Sequence, residues 1–429
     1  MKNPRSLALS SLVKSTEKGK YTNLELGATL DKESLSPEDR ALYTRLYLGV
    51  IEKKITLDYL LSRISTIPLN TLEIRVLCLL ELGAYQILYL DGIPDHAAVN
   101  ESVMLAKREN PGCVSFINAV LRKLAGEKEE ILSYLNLPGK KGLSLRYGYP
   151  RWLITLWQEA YGKEKCVEIL EAQNTPARLT IRVNTTKISL SEYKKKLEEE
   201  KIPFHENKLC KNSLTIEKNL SPTALFGFSE GLFFVQDAAA GHAVDKLDVK
   251  PFDRVLDLCA SPGGKSFAAG IQMENKGEVL SLELYESRVP LIKEGALRLG
   301  LSCIKAQQND SSKKREEWKD SFDKVICDVP CSGYGTIAKK PEIRHKDPEE
   351  AKGLPEIQLA ILEAGAYALK PGGKLVYSTC TLNPEENENV TSAFLSRHPE
   401  FRRVGEYETI FPKGGEHDGF FCDLMEKLV

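Results

Sequence analysis

The feature that most constrains the fold is an alternation of β-like and helical segments from about residue 246 onward. Five short runs with strand character, near Val255, Glu278, Ile304, Lys324 and Lys374, are separated by stretches with helical character. This pattern is typical of a doubly wound parallel sheet with helices on both faces. Such sheets bind ligands at the carboxyl ends of their strands, so the residues that follow each strand are the first candidates for a functional site.

Two cysteines stand at such strand ends. Cys331 lies in the run Asp-Val-Pro-Cys-Ser-Gly after the strand at 323–327, and Cys380 lies in Tyr-Ser-Thr-Cys-Thr after the strand at 373–376. An arbitrary cysteine at a strand end is more often an inert core thiol, which is what we expect of Cys259, Cys303 and Cys327. The contexts of Cys331 and Cys380 instead indicate cysteine chemistry that depends on a cofactor.

The first strand of this region runs directly into a glycine turn and a helix, over residues 255–266. The phosphate loop of nucleotide hydrolases does not fit, because Cys259 stands where that loop needs glycine, and the Gly-x-Gly-x-x-Gly pattern is absent. Small residues allow a ligand close to the backbone, and the free N–H groups at a helix start suit a carboxylate. S-adenosylmethionine carries such a carboxylate.

Acidic residues end three successive strands. Asp257 ends the first, Glu283 ends the second in a position to accept the two ribose hydroxyls, and Asn309 with Asp310 ends the third in a position to meet the adenine amino group. Each acid alone could simply cap the following helix. The ordered set favours a cofactor crevice. The predicted cofactor-binding residues are Cys259, Ala260, Ser261, Pro262, Gly263, Gly264, Lys265, Glu283, Asp310 and Asp328.

The rest of the chain divides into two further regions. Residues 1–126 carry helical periodicity almost throughout, as at 39–51, 74–90 and 97–106, and predict an all-α bundle. A stretch rich in Pro, Gly and charge at 136–142 predicts a linker, placed at 127–142. Residues 143–245 mix a helix at 152–172, a strand at 178–184, a helix at 190–201 and a strand at 233–237, which predicts a small α/β module. The fold class is therefore multidomain.

Composition limits the setting of the protein. The chain has 429 residues, of which 42% are hydrophobic and 28% charged, and it lacks an apolar run of the length that spans a bilayer. We therefore expect a cytoplasmic protein without a membrane partner. The ten cysteines include no paired Cys-x-x-Cys sets with nearby histidines, so we expect reduced thiols and no metal.

Local charge is more informative than the formal net charge of −1. Basic clusters at 140–151 and 313–315 are best interpreted as solvated faces. The cluster of Lys339, Lys340, Arg344, His345 and Lys346 directly follows the Cys331 loop. A basic segment beside a reactive site would suit the phosphates of a nucleic acid.

Three runs together carry a specific resemblance: residues 257–265, residues 328–333, and residues 378–387, which read Ser-Thr-Cys-Thr-Leu-Asn-Pro-Glu-Glu-Asn. They resemble the bacterial 16S rRNA cytosine-5 methyltransferase B family, of the Sun/Fmu type. The segments at 83–86, 96–101 and 116–122 are similar to the antitermination factor NusB. The resemblance covers nearly the whole chain. It implies a NusB-like RNA-binding bundle at 1–126, a small RNA-binding module at 143–245 and a Rossmann-like class I methyltransferase domain at 246–429.

The resemblance also implies the site roles. Cys380 would add to carbon 6 of cytosine, Cys331 would serve the elimination step, and Asp328 would meet the N3 and amino edge of the base. Lys265 would help to hold the base or the cofactor. The implied partner is unassembled small-subunit ribosomal RNA, bound by a monomer. Candidate phosphate contacts are Arg75, Lys107, Arg108, Arg122 and Lys123.

This chain departs from the family pattern at several positions. Ala338 and Lys339 stand where arginines are usual, and His345 stands where tryptophan is usual, so RNA contacts there are expected to differ. Val329 replaces the commoner alanine and Glu283 the commoner aspartate, and neither change removes a catalytic group.

Three alternatives stay open at this stage. A transfer RNA substrate is the main competing activity. An RNA-binding adapter with an inactive methyltransferase domain is disfavoured, because an adapter needs neither thiol. A DNA substrate is also disfavoured, because DNA enzymes of this chemistry usually place the attacking thiol in the Pro-Cys run.

Overall fold

The computed structural model describes residues 3–18 and 22–429. It forms two compact units, of which the first extends through Cys166 and also includes Lys340–Lys346. The second consists of Val167–Lys339 and Asp347–Val429. Among the described residues, none of the helices combines the length and the apolar character needed to cross a membrane.

The first unit is helical, as the periodicity predicts. Its α3 is introduced by Ser36, whose side chain accepts the Asp39 N–H, with Pro37 at the first helical position. The core includes Tyr43, Leu79 and Leu121, which are fully buried. The helices are α1 (Pro4–Lys18), α2 (Thr22–Lys32), α3 (Pro37–Ile64), α4 (Ile74–Tyr89), α5 (Asp95–Glu109), α6 (Val114–Gly126), α7 (Lys128–Ser133), α8 (Gly139–Tyr147) and α9 (Arg151–Tyr161).

Two details differ from the helix positions expected from sequence. The segment expected as a linker, 127–142, contains α7 and the first residues of α8. The single helix expected at 152–172 is two helices, α9 and α10 (Lys163–Asn174). They are separated at Gly162, whose φ of 85° is costly for residues with a side chain. Because the residues on both sides of Gly162 have helical periodicity, the sequence did not reveal the break between α9 and α10.

A small antiparallel sheet follows. Its strands are β1 (Leu179–Val183), β2 (Phe204–Glu206), β3 (Ser213–Ile216) and β4 (Phe233–Val235), in the order β2-β3-β1-β4. Helix α11 (Leu190–Glu199) begins with a capping box formed by Ser189 and Glu192. It buries Tyr193 and Leu197 in the core beneath this sheet. The predicted α/β module is confirmed.

The largest sheet has eight strands and is mixed. Its strands are β5 (Arg254–Asp257), β6 (Glu278–Glu283), β7 (Ile304–Gln308), β8 (Phe322–Asp328), β9 (Leu369–Thr379), β10 (Phe401–Arg403), β11 (Glu408–Ile410) and β12 (Phe420–Lys427). The accompanying helices are α12 (Ala238–Leu247), α13 (Gly264–Gln272), α14 (Val289–Leu299), α15 (Leu354–Ala368) and α16 (Glu388–Arg397).

The strand order is β7-β6-β5-β8-β9-β12-β10, with β11 also paired to β12. The first five strands in this order run parallel, and the pairs of β12 with β9, β10 and β11 are antiparallel. The doubly wound parallel sheet is confirmed, whereas its antiparallel edge was not predicted. Alternate residues of the central strands enter two cores: Val255 and Ile326 lie in one, and Leu256 and Val325 in the other.

Candidate active site

The site lies where the strand order reverses, between β5 and β8. These neighbours pair in parallel, with Asp257 opposite Ile326, so their carboxyl ends open on the same edge of the sheet. On the other side of β8, Asp328 is paired with Ser378 of β9. The loops after β5, β8 and β9 therefore leave the sheet side by side. An edge of this kind is where open α/β sheets bind ligands.

The two predicted thiols lie together at this edge. The Sγ atoms of Cys331 and Cys380 are 3.3 Å apart, and both residues are partly exposed. The contact with Cys380, burial, and the nearby carboxylates of Glu386 and Asp328 together raise the pKa of Cys331 well above its ordinary value. Burial likewise raises the pKa values of Cys259 and Cys327, which agrees with their expected place in the core.

Asp328 lies beside the thiols at the end of β8. Its Oδ2 is 2.7 Å from the Lys265 ammonium, and its Oδ1 accepts a 2.8 Å hydrogen bond from the Ser378 hydroxyl. Burial opposes the charge on Lys265, but the Asp328 carboxylate more than offsets this and the net pKa of Lys265 is raised. Ser378 is a site residue that sequence reasoning missed, although it stands in one of the diagnostic runs.

The glycine turn after β5 packs closely against the helix that follows it. Gly263 has a φ of 114°, and a Cβ placed on it would lie 2.2 Å from the Phe267 ring. Its N–H donates to the Ala260 carbonyl at 2.6 Å, and helix α13 begins at the next residue. Ser261 and Pro262 are joined by a cis peptide bond. A side chain at Gly263 is thus excluded, and the first turn of α13 presents N–H groups suited to a carboxylate.

The acidic strand ends fall into two kinds. Glu283 uses Oε1 to accept the Tyr285 N–H at 2.9 Å, which leaves Oε2 for a ligand. Asp310 instead accepts from the N–H and hydroxyl of Ser312 and pairs with Lys313 at 2.9 Å. The contact with Lys313 and those with Ser312 lower the pKa of Asp310 to about 2. Asp310 therefore has the geometry of a residue that caps its own turn.

Asn309, the residue before Asp310, has a buried side-chain nitrogen without a hydrogen-bond partner. Its Oδ1 is taken by Arg315 at 3.0 Å. Such an orphaned donor is unusual in a folded protein and is explained most simply at a ligand site. Three adjacent strand ends thus offer the Glu283 carboxylate for hydroxyls, the N–H groups at the start of α13 for a carboxylate, and the unpaired amide of Asn309. This set of polar groups fits S-adenosylmethionine.

Asp257, at the end of β5, is fully buried. Its Oδ2 accepts a 2.7 Å hydrogen bond from Ser266, and Ser266 lies 2.7 Å from the Ser281 hydroxyl. Burial raises the pKa of Asp257 to about 6, and the Ser266 hydrogen bond only partly opposes that rise. This carboxyl ties the first turn of α13 to the sheet through Ser266.

The basic segment after the Cys331 loop differs from expectation. Lys339 is paired with Asp237 at 2.5 Å and Asp418 at 2.8 Å. Arg344 is only 2% exposed, donates to the Glu52 and Tyr147 carbonyls at 2.9 and 3.2 Å, and lies over the Tyr149 ring. These side chains are engaged within the protein, so the interpretation of the whole cluster as a phosphate-binding surface was wrong. Charge in a sequence does not reveal whether a side chain points inward.

His345 and Arg75 are also engaged within the protein. The Nε2 atom of His345 lies 2.8 Å from the Ile51 carbonyl. Arg75, one of the candidate phosphate contacts, is paired with Glu109 at 2.6 Å. Lys340 remains an exposed cation of the segment.

The fold and the site together define an S-adenosylmethionine-dependent methyltransferase. Three family profiles match the chain: the 16S rRNA methyltransferase RsmB/F profile at residues 244–425, the NusB family at 2–126, and the RsmF/B-like ferredoxin-like domain at 149–222. The chain belongs to the RsmB/F methyltransferase family, as the resemblance predicted, and is an RNA methyltransferase.

Individual relatives agree over full length. A probable ribosomal RNA small subunit methyltransferase B of Bacillus subtilis is 36% identical, with 99% of this chain and 98% of the relative covered. A protein with the same description from Synechocystis is 32% identical, with both chains fully covered. The crystal structure of a methyltransferase homologue from Pyrococcus horikoshii superposes with a TM-score of 0.62 and 29% identity, covering 68% of this chain and all of that one.

Proposed function

We propose that the chain methylates carbon 5 of a specific cytosine in small-subunit (16S) ribosomal RNA through a covalent bond between Cys380 and carbon 6 of the base. The observation that carries this proposal is the pair of thiols 3.3 Å apart in the loops that follow two adjacent strands, with Asp328 at the end of one of those strands. Methyl transfer to oxygen or to an amine needs neither thiol. Transfer to carbon 5 needs a nucleophile, because this carbon is too electron-poor to react unaided.

Cys380 is the nucleophile in this mechanism. Its thiolate adds to carbon 6, the carbon 5–carbon 6 double bond opens, and electron density moves onto carbon 5. When bound, S-adenosylmethionine supplies a methyl group made electrophilic by a positively charged sulfur. Cys331 is the second thiol of the site, and its sulfur lies 3.3 Å from that of Cys380.

Asp328 and Lys265 serve the other edge of the base. Asp328 meets N3 and the exocyclic amine of the cytosine and shares a proton there as Cys380 adds. The Lys265 ammonium, 2.7 Å away, keeps a positive charge beside that proton. The Ser378 hydroxyl fixes the orientation of the Asp328 carboxylate through its 2.8 Å hydrogen bond.

The last step restores the aromatic ring. A base removes the proton from carbon 5, the electron pair re-forms the carbon 5–carbon 6 double bond, and the Cys380 thiolate leaves carbon 6. Cys331 is assigned to this elimination, because its sulfur lies within reach of the same carbon atoms once Cys380 is bonded to the base. A protein without Cys331 should therefore complete methyl transfer but release the RNA slowly.

The substrate assignment is supported by the relatives, whose names specify small-subunit ribosomal RNA. The chemistry requires a base that is unstacked or displayed in a loop, because a thiolate must approach carbon 6 from above the ring. RNA free of ribosomal proteins would offer such a base.

The test uses the full chain with tritiated S-adenosylmethionine and either unmodified small-subunit RNA or total transfer RNA. Wild type is compared with Cys380→Ala, Cys331→Ala and the matched control Cys113→Ala, which removes a thiol from the helical unit. We expect 5-methylcytosine in ribosomal RNA with wild type and control, and loss of methylation in Cys380→Ala. Cys331→Ala should accumulate a protein–RNA adduct that survives denaturant.

Other outcomes would change the proposal in defined ways. Label found only in transfer RNA would show that transfer RNA, and not ribosomal RNA, is the substrate. An adduct that persists in Cys380→Ala would show that Cys331 attacks the base and that Cys380 serves the elimination. Cofactor binding without transfer to either RNA would favour an adapter.

A further inference from the structure

A buried carboxylate, Glu386, lies behind the two thiols. It is fully buried. Its Oε1 accepts from the Ser332 hydroxyl at 2.5 Å and from the Asn383 amide at 2.9 Å. Its Oε2 accepts from the Ser332 N–H at 2.9 Å and from the Gln358 amide at 3.0 Å. An ionised group removed from water requires such complete hydrogen bonding, and bonds to a carboxylate are among the stronger ones.

Two of the four hydrogen bonds to Glu386 come from the loop that carries Cys331. Ser332 follows Cys331 directly and donates both its N–H and its hydroxyl. Gln358 also donates to the carbonyl of Pro330, the residue before Cys331, at 3.0 Å. The backbone on both sides of Cys331 is thus tied to one carboxylate.

The same short turn fixes the loop that carries Cys380. Asn387, next to Glu386, donates to the Thr381 carbonyl at 3.0 Å and accepts from the Thr379 hydroxyl at 2.5 Å. These two threonines flank Cys380. The Ser332 hydroxyl lies 2.7 Å from the Thr381 hydroxyl and joins the two loops directly. The Tyr377 hydroxyl donates to the Glu386 carbonyl at 2.6 Å.

We propose that Glu386 is a positioning residue that holds the Cys331 loop against the Cys380 loop, so that both sulfurs reach the same base. The inference rests on the thiol roles proposed above. A hydrophobic residue could fill this volume at lower desolvation cost, but it could not bind the N–H of Ser332 and the amide of Gln358 together. The negative charge also acts on Cys331, because Glu386 is among the groups that raise its pKa.

The experiment compares Glu386→Gln with Glu385→Gln in the full chain. The control makes the same chemical change one residue away, at an exposed position. A glutamine at 386 turns an amide NH₂ toward donors and removes the charge. A second variant, Ser332→Ala, removes the hydroxyl link between the loops but keeps the carboxylate.

Two readouts are taken. The first is kcat and KM for S-adenosylmethionine on small-subunit RNA. The second is the pH profile of iodoacetamide alkylation at Cys331 and Cys380, read by peptide mass spectrometry without RNA or cofactor. We expect kcat to fall at least about tenfold in Glu386→Gln with KM nearly unchanged, since small displacements of reacting groups are costly. Cys331 should become alkylated at lower pH, because a nearby negative charge is lost. Glu385→Gln should match wild type in both readouts.

Ser332→Ala separates position from charge. It should lower kcat while leaving the alkylation profile of Cys331 unchanged, because Glu386 keeps its charge. If Glu386→Gln does not fold, Ser332→Ala decides the question by the same kcat measurement. Wild-type kcat in both variants, or an alkylation profile of Glu386→Gln equal to that of Glu385→Gln, would overturn the inference. If neither wild type nor any variant transfers a methyl group, the proposed function is wrong. The alkylation profiles would still test the effect of Glu386 on Cys331.

Discussion

The ammonium of Lys265, in the first turn of α13, lies 2.7 Å from Oδ2 of Asp328, the last residue of β8. The Lys265 side chain is only 11% exposed, so the pair is largely shielded from water. The ion pair links the glycine turn that suits the cofactor to the strand end that leads to Cys331. One charge contact thereby connects the two halves of the site.

Replacing Lys265 with Gln should lower kcat/KM for RNA by at least about tenfold, because a buried hydrogen-bonded charge pair is costly to break from one side. The measurement is steady-state methylation of small-subunit RNA at saturating cofactor. Lys305→Gln is the control, since Lys305 also pairs with a carboxylate but its side chain is 69% exposed. Equal activity in the two variants would argue against a role for the Lys265 charge.

The buried carboxyl of Asp257 should make stability depend on pH. Its pKa is raised by burial from 3.8 to about 6, so the folded protein keeps this proton at a pH where the unfolded chain has lost it. The group therefore stabilises the fold most at low pH and loses that contribution as pH rises through about 6. Asp257→Asn lacks this titration. Its free energy of unfolding relative to wild type should rise by roughly 2 kcal/mol between about pH 4 and about pH 7.

Urea unfolding of wild type and Asp257→Asn at both pH values measures this difference. Asp253→Asn is the control, because Asp253 lies just before the same strand and its carboxylate accepts a hydrogen bond from the Lys250 N–H near the surface. A stability difference that stays constant, or that falls as pH rises, would contradict the assignment.

Lys339 should be required for stability, because it neutralises two adjacent buried carboxylates. Asp237 and Asp418 are 13% and 12% exposed at their side chains, and burial together with Asp237 raises the pKa of Asp418 to about 7. Lys339→Met should destabilise the protein by about 3–5 kcal/mol. The deficit should grow as pH rises through about 7, where both carboxylates would ionise without a cation. Thermal unfolding at several pH values measures it.

Lys340→Met provides the matched control, since Lys340 is the next residue and is exposed. It should unfold within about 0.5 kcal/mol of wild type, as surface substitutions usually do. A Lys339→Met protein as stable as Lys340→Met, or one whose deficit shrinks with pH, would refute the prediction.

The 3.3 Å separation of the Cys331 and Cys380 sulfurs should allow them to be oxidised together. With hydrogen peroxide, two thiols give one disulfide and two molecules of water. We expect loss of methylation, a peptide linking Cys331 to Cys380 by mass spectrometry, and recovery with dithiothreitol. The Cys331→Ala protein should not form this link. Inactivation that dithiothreitol does not reverse would show that the sulfurs oxidise separately.

Much of the fold could be predicted because apolar residues recur along the chain with the spacing of buried helices and strands. The apolar runs at Val255 and Lys324 mark central strands that are buried on both faces, and the two cores on either side of them explain why. The antiparallel strands β10, β11 and β12 were missed. Strand β12 pairs with β9, and β10 and β11 each pair with β12, through backbone groups that leave little trace in the sequence.

The site was predicted less completely, because side-chain direction decides it. The runs around Cys331 and Cys380 identified the thiols, but nothing in Asn-Pro-Glu-Glu-Asn distinguishes the exposed Glu385 from the buried Glu386. Asp310 was expected to face a ligand, which stays a prediction, and the sequence did not show that it also binds Ser312 and Lys313 in its own turn. Arg344 was expected to meet phosphate and instead lies over the Tyr149 ring.

The segment Lys340–Lys346 belongs to the helical unit, although the chain reaches it from the Cys331 loop. A gene that began at residue 167 would therefore encode a protein in which Arg344 has lost the Glu52 and Tyr147 carbonyls that receive its guanidinium. A recombination event that removed the helical unit would leave the charged segment Lys340–Lys346 without the residues that it contacts. Exchange of whole modules among enzymes of this kind must replace that segment together with the unit that receives it.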